Sequence, residues 1–288
     1  MRIALGVDTL SYHCRLDAGE ITVQEVLDEV ADLGFEFLQL NAVHLRDFDD
    51  AALAALRRAA DDRGMPLTLA GDVIGRPEND TPEVGAERIR RWTAMARKLG
   101  SPYARASSGF YRNEVMGRPE AIEAHKRYLI AALNAYVDSE PLDDTLVLLE
   151  NHSDFTPEEY GDIIAAVDAR RVGVFLDVIN PVTMLLDPLP VVQKLAPFAP
   201  AGHVKDFRLV SQYVEGKFHR RGFDVQYCYP GEGVAALPAL MHALQASPAD
   251  PYMLSIEGLD NRRGVADQRE RLAAAAATLR PLIERGAA

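Results

Sequence analysis

Four residues able to hold a cation or move a proton each stand at the end of a short apolar run. They are Glu150 closing LVLLE, Asp177 closing VGVFLD, His203 in GHVKD and Glu257 in YMLSIEG. Burying a charge in such a run is costly unless it is paired or bound to a metal. Four of these endings in succession therefore point to one shared site. Three carboxylates and one imidazole form a hard, mostly oxygen donor set. It suits one divalent ion, Mn²⁺ first, with Mg²⁺ or Co²⁺ as alternatives and Zn²⁺ less well matched.

Further polar residues fall where they can surround that site. His152 lies two residues after Glu150 and shares its side of an extended strand, as Lys205 does with His203. Asn180 follows Asp177 by three residues. It can hydrogen-bond but cannot donate a proton as an acid near neutral pH. Lys205 can meet a substrate oxygen or carboxylate, or pair with Asp177 or Asp206; a buried lysine needs a partner. Arg208, His219, Arg220 and Arg221 cluster in a long connection over 208–233. Arginine offers a planar fork suited to a carboxylate or phosphate. Arg208, His219 and Arg221 are taken, with His152, Asn180 and Lys205, as the substrate-binding candidates. Earlier strand ends offer Asp8, Gln39, Asn41, Asp72, Arg105 and Ser107, which can line a polyol pocket, although most are more simply read as polar residues closing strands.

Something must carry these residues to one place. Apolar strand-like runs alternate with helical patterns eight times, from RIALGVD and TVQEVLDEVADLG to PYMLSIEG and ADQRERLAAAAATLRPLIE. Gly34, Gly64 and Gly100 follow helices where a left-handed cap is needed. Thr22, Thr156 and Asp267 open helices, and Pro157 takes a favoured first-turn position. Eight such units predict an α/β fold, a single-domain (β/α)₈ barrel over 1–288, with a doubly wound open sheet as the alternative. On a barrel, the 208–233 connection lies over the C-terminal face, where active sites form.

Composition narrows the function. A net charge of −12 disfavours nucleic acid and anionic membrane as partners. Cys14 and Cys228 are far apart and show no CxxC spacing, so neither a disulfide framework nor a zinc–cysteine site is indicated. No signal-peptide pattern and no membrane-length apolar stretch is present, and a cytoplasmic protein is expected. No GxSxG elbow, phosphate-cradling loop or dinucleotide fingerprint occurs. A homodimer is the base-rate expectation for assembly.

Together, Glu150 with ENH, Asp177 with FLDVIN, His203 in HVKD, PGEG at 230–233 and Glu257 in SIEG resemble the xylose-isomerase-like barrels, the sugar phosphate isomerases and epimerases. The resemblance runs over most of the chain. It implies that Glu150, Asp177, His203 and Glu257 hold one divalent metal. It further implies that Glu150 and Glu257 are catalytic, one removing a proton α to a carbonyl and the other returning it on the opposite face of an enediolate. Many ketose 3-epimerases carry His where Asn180 stands, which sets this chain apart from them. The leading expectation is a metal-dependent isomerase or epimerase of a ketose or related carbohydrate. The alternative is a lyase on a keto sugar acid or oxidised glycoside, by decarboxylation, dehydration or β-elimination. A phosphodiesterase on the same barrel would need more histidines and a basic surface. A non-enzymatic barrel would be expected to lack one or more of the four ligands.

Overall fold

A computed structural model of the chain describes residues 1–141, 144–213, 220–259 and 268–285. Its strands are β1 (Ile3–Asp8), β2 (Phe37–Asn41), β3 (Leu67–Val73), β4 (Tyr103–Ser107), β5 (Leu146–Glu150), β6 (Val172–Asp177), β7 (Ala201–Val204), β8 (Asp206–Tyr213), β9 (Arg220–Cys228) and β10 (Tyr252–Ile256). Its α-helices are α1 (His13–Asp17), α2 (Val23–Asp32), α3 (Asp50–Asp61), α4 (Pro82–Leu99), α5 (Pro119–Ser139), α6 (Pro157–Ala165), α7 (Pro188–Leu195), α8 (Leu237–Ala243) and α9 (Gln268–Arg285).

All strands but β8 and β9 form a closed parallel barrel in the order β1–β10–β7–β6–β5–β4–β3–β2. The open-sheet alternative is excluded because β1 pairs with both β2 and β10. Parallel strands are covered on both faces, which is why β1, β2 and β4 are buried along their whole length. The main apolar core lies between strands and helices. A smaller one, Tyr103, Leu148, Phe175 and Ala201, fills the barrel interior.

Local chemistry sets the helix ends. Thr22 and Thr156 each form a reciprocal capping box, with Glu25 and Glu159. Gly100 closes α4 at φ 72°, which costs a residue without Cβ nothing. Asp267, expected to open the last helix, lies outside the described residues.

The connection at 208–233 is not an irregular loop. Asp206–Tyr213 and Arg220–Cys228 pair antiparallel as a two-stranded ribbon, from Asp206↔Cys228 at its root. Asp206 anchors the segment that returns to the barrel. Its carboxylate accepts from the backbone N–H groups of Gly231 (3.1 Å), Gly233 (3.0 Å) and Ala235 (2.9 Å). The PGEG turn is thus tied to the strand end by one buried acid.

Candidate metal centre

β5, β6, β7 and β10 are neighbours in the barrel, and their C-terminal ends bring Glu150, Asp177, His203 and Glu257 together. Asp177 and His203 are direct register partners. The His203 ring packs edge-on against Phe175 from the inner core, centroids 4.6 Å apart, which fixes its plane. Its Nε2 meets Asp8 Oδ2 at 3.2 Å. Its Nδ1 has no hydrogen-bond partner although fully buried. That nitrogen faces three carboxylates instead: Glu150 Oε1 at 3.5 Å, Glu257 Oε1 at 3.5 Å and Asp177 Oδ2 at 3.9 Å.

This arrangement fits a divalent ion. Metal-ligating histidines typically give the second ring nitrogen to a carboxylate or carbonyl, the place Asp8 fills here. Ligand atoms of Glu150, Asp177 and His203 lie within 4.8 Å of one another. Glu257 stands slightly apart, drawn toward Lys205 Nζ at 2.5 Å. Asp8, Glu150, Asp177 and Glu257 put four buried carboxylates against two buried cations, Arg105 and Lys205. With His203 neutral, as a metal ligand must be, the floor is short of neutrality by the charge of one divalent ion.

The two cations divide the carboxylates. Lys205 Nζ donates to Asp177 Oδ2 at 2.6 Å and to Glu257. Arg105 Nη2 lies 2.5 Å from Glu150 Oε2. Burial alone would raise the Glu150 carboxyl, but Arg105 and then His203 hold it well below the usual carboxylate range. Burial likewise opposes ionisation of Glu257, yet Lys205 and His203 bring it to about 2. Without a metal, burial works against a charged His203, and the Glu257 charge and the Asp8 hydrogen bond overcome it, raising the imidazole to about 10.

Above this floor opens a cavity of about 850 Å³, lined among others by Arg105, His152, Asn180, Lys205, Tyr227 and Glu257. Asn180 Nδ2 donates to Glu150 Oε1 at 3.4 Å, and Asn180 Oδ1 accepts from Tyr227 Oη at 3.2 Å. The Tyr227 ring also lies 4.7 Å from Lys205 Nζ. The β8–β9 ribbon therefore reaches the floor through one aromatic side chain. Ser153 and Leu185 are the non-glycine residues with positive φ among those described, and both line this cavity. Such backbone strain concentrates at functional sites.

The expected substrate-binding residues separate into two groups. His152, Asn180 and Lys205 line the cavity. Arg208 is not among the lining residues; its Nε donates to the Glu232 carbonyl at 2.9 Å and its Nη2 reaches the Glu232 carboxylate at 3.3 Å. Its fork is engaged in holding the PGEG turn. His219 and the side chain of Arg221 lie outside the described residues. Of three further participants, the sequence marks Asp8 and Arg105 chiefly as polar residues closing strands, and it does not single out Tyr227. Arg105 carried a usable signal, a lone cation inside the apolar strand YARAS.

Comparison with known proteins identifies the family and the fold. The family model for the xylose isomerase-like TIM barrel matches residues 27–282. The chain belongs to that family. A curated relative, D-psicose 3-epimerase of Agrobacterium fabrum (strain C58 / ATCC 33970), is 33% identical over 75 residues. That match spans only 26% of this chain and 26% of the relative. Among solved structures, IOLI protein with a bound zinc atom superposes with a TM-score of 0.70 at 16% identity, covering 99% of each chain. The probable 3-DHS dehydratase AsbF of Bacillus anthracis gives a TM-score of 0.68 at 15% identity, covering 97% of this chain and 99% of its own. At such identities the structures show the shared fold. Among the described residues, no helix is long and apolar enough to cross a membrane.

Proposed function

We propose that this chain is a divalent-metal-dependent enzyme that isomerises or epimerises a ketose or related carbohydrate. The observation that carries the reading is the orphaned Nδ1 of His203, with Glu150 and Glu257 each 3.5 Å away. Those glutamates come from the two ends of the four-strand arc β10–β7–β6–β5. A substrate carbon between them would present one face to each. Glu150, Asp177, His203 and Glu257 would hold the ion, with Mn²⁺ the best match to the donor set. Such an ion supplies Lewis acidity, acidifying the C–H beside a carbonyl whose oxygen it polarises.

The chain's own residues do the remaining work. One glutamate takes the α-proton and the other delivers a proton to the opposite face. Asn180, bonded to both Glu150 and Tyr227, fixes the orientation of the first. His152 lines the cavity wall. The sequence match to a D-psicose 3-epimerase supports the substrate class.

A lyase reading has its own support. Lys205 and Arg105 stand beside the two candidate bases, and a carboxylate held by a cation is a weaker acceptor for a carbon-bound proton. Decarboxylation removes no carbon-bound proton and needs only an acid to protonate the resulting carbanion, which the Lys205 ammonium can supply. The dehydratase among the fold neighbours is compatible with it.

NMR in D₂O separates the readings, using Mn²⁺-loaded protein and a panel of ketoses and keto sugar acids. The paramagnetic ion and protein are removed before recording. Deuterium entry with an isomeric product, lost in Glu150→Gln and Glu257→Gln, is expected. Release of CO₂ or water would assign the lyase chemistry instead. Equal turnover by metal-free and metal-loaded protein would sink both.

A further inference from the structure

Among the described residues, the cavity wall presents four cations and two acids, with Asp8, Glu150 and Asp177 buried beneath its floor. The chain carries −12 overall. Yet the charged residues lining the cavity, among those described, are Arg76, Arg105, Arg112 and Lys205 against Asp72 and Glu257. Arg76 and Arg112 are each met by a carboxylate outside the lining, Glu114 at 2.7 Å and Glu159 at 2.6 Å. They add to the field without offering a free fork. Arg105 and Lys205 are different. They sit on the floor, 7% and 1% exposed, and their partners Glu150, Asp177 and Glu257 are the groups a divalent ion would draw to itself.

Ligation by those carboxylates leaves both cations with weakened partners at the bottom of the cavity. Arg105 already has an orphan: its Nε is buried with no acceptor among the described residues. A buried donor without an acceptor costs roughly 1–3 kcal/mol, so an acceptor arriving with the ligand is favoured. A neutral polyol supplies hydroxyls that accept weakly. A carboxylate supplies charge, and its two oxygens match a guanidinium fork.

We propose that the substrate of this site is an acid, a keto sugar acid rather than a neutral ketose, whose carboxylate is received by Arg105 and Lys205 beside the metal. The inference rests on the metal-centre reading above and narrows its substrate class. It also moves anion recognition away from the 208–233 connection, where Arg208 is occupied by Glu232, and onto the barrel floor. In a 3-keto acid, a carboxylate held there makes decarboxylation chemically accessible: the C1–C2 bond breaks, its electron pair passes into the C3 carbonyl as an enolate, and CO₂ leaves. The carbanion is then protonated by an acid such as Lys205. No oxidant or reductant is needed.

Two matched ligand pairs test the idea by calorimetry on the full, Mn²⁺-loaded chain: 2-keto-D-gluconate against D-fructose, and 2-keto-L-gulonate against L-sorbose. Members of a pair differ only in carrying a carboxylate or a hydroxymethyl at C1. The expected result is at least tenfold tighter binding of the acid in one pair or both. That preference should fall to threefold or less in Lys205→Gln or in Arg105→Gln, with Mn²⁺ content measured in each. Equal or tighter binding of the neutral sugars, or no binding of either acid at millimolar concentration, overturns the proposal and leaves the metal centre standing. A preference that survives both substitutions places the carboxylate on the metal and overturns the role of the cations. Failure of the wild-type chain to take up Mn²⁺ removes the metal reading, and this proposal with it.

Discussion

At the scale of single residues, His203 organises the centre. One ring nitrogen is held by Asp8 and the other is left facing three carboxylates. Asp8 came to that position unannounced: it closes β1, far along the chain, and its type alone is that of any polar strand end. An acid that orients a ligating histidine raises its basicity and fixes its tautomer. Replacing Asp8 by Asn keeps the shape, and its amide oxygen can still accept from Leu10 N–H as the acid does now. Asp8→Asn should therefore weaken Mn²⁺ binding by about 10–100-fold, read by titration calorimetry, with unchanged far-ultraviolet dichroism. Unaltered affinity would mean that His203 does not ligate through Nδ1.

At the scale of elements, the barrel places the site and the ribbon completes it. β7 is short and runs close to β6, and Gly202 is what allows that approach. A Cβ there would collide with the Leu176 carbonyl oxygen and the Tyr252 hydroxyl. Both belong to fully buried residues of the strands flanking β7, so neither can give way cheaply. Gly202→Ala should cost about 3 kcal/mol or more in urea unfolding, at the upper end of overpacking penalties. A loss under about 1 kcal/mol would show that β7 can shift, and with it His203. The ribbon makes a separate contribution. Two strands alone are marginal in water, so its root must be held. Asp206 does this through three backbone N–H groups, and Tyr227 does it from the cavity side.

At the scale of the whole molecule, the floor's unbalanced carboxylates link folding to metal. An ion that binds only the folded chain stabilises it by mass action, about 2.7 kcal/mol at a hundredfold excess over its Kd. For a domain of this size that should raise Tm by roughly 5 °C or more. A thermal scan with and without Mn²⁺ reads the shift. The Glu150→Gln chain should lose most of it. An equal shift in that variant would show that the ion binds elsewhere.

Much of this was legible in the chain itself. Eight alternations of strand and helix pattern, punctuated by Gly34, Gly64, Gly100, Thr22 and Thr156, state the barrel, because local periodicity and capping act over a few residues. Glu150, Asp177, His203 and Glu257 were visible too, since a charge ending an apolar run has no cheap structural excuse. What tertiary structure alone decided is which side chains meet. Arg105 belongs with Glu150 because β4 pairs with β5, and Asp8 with His203 because the barrel closes through β1 and β10. Arg208 turns to Glu232 because the connection folds as a ribbon rather than a loop. Those pairings depend on closure and on cross-strand register between distant segments, and neither leaves a trace in local spacing.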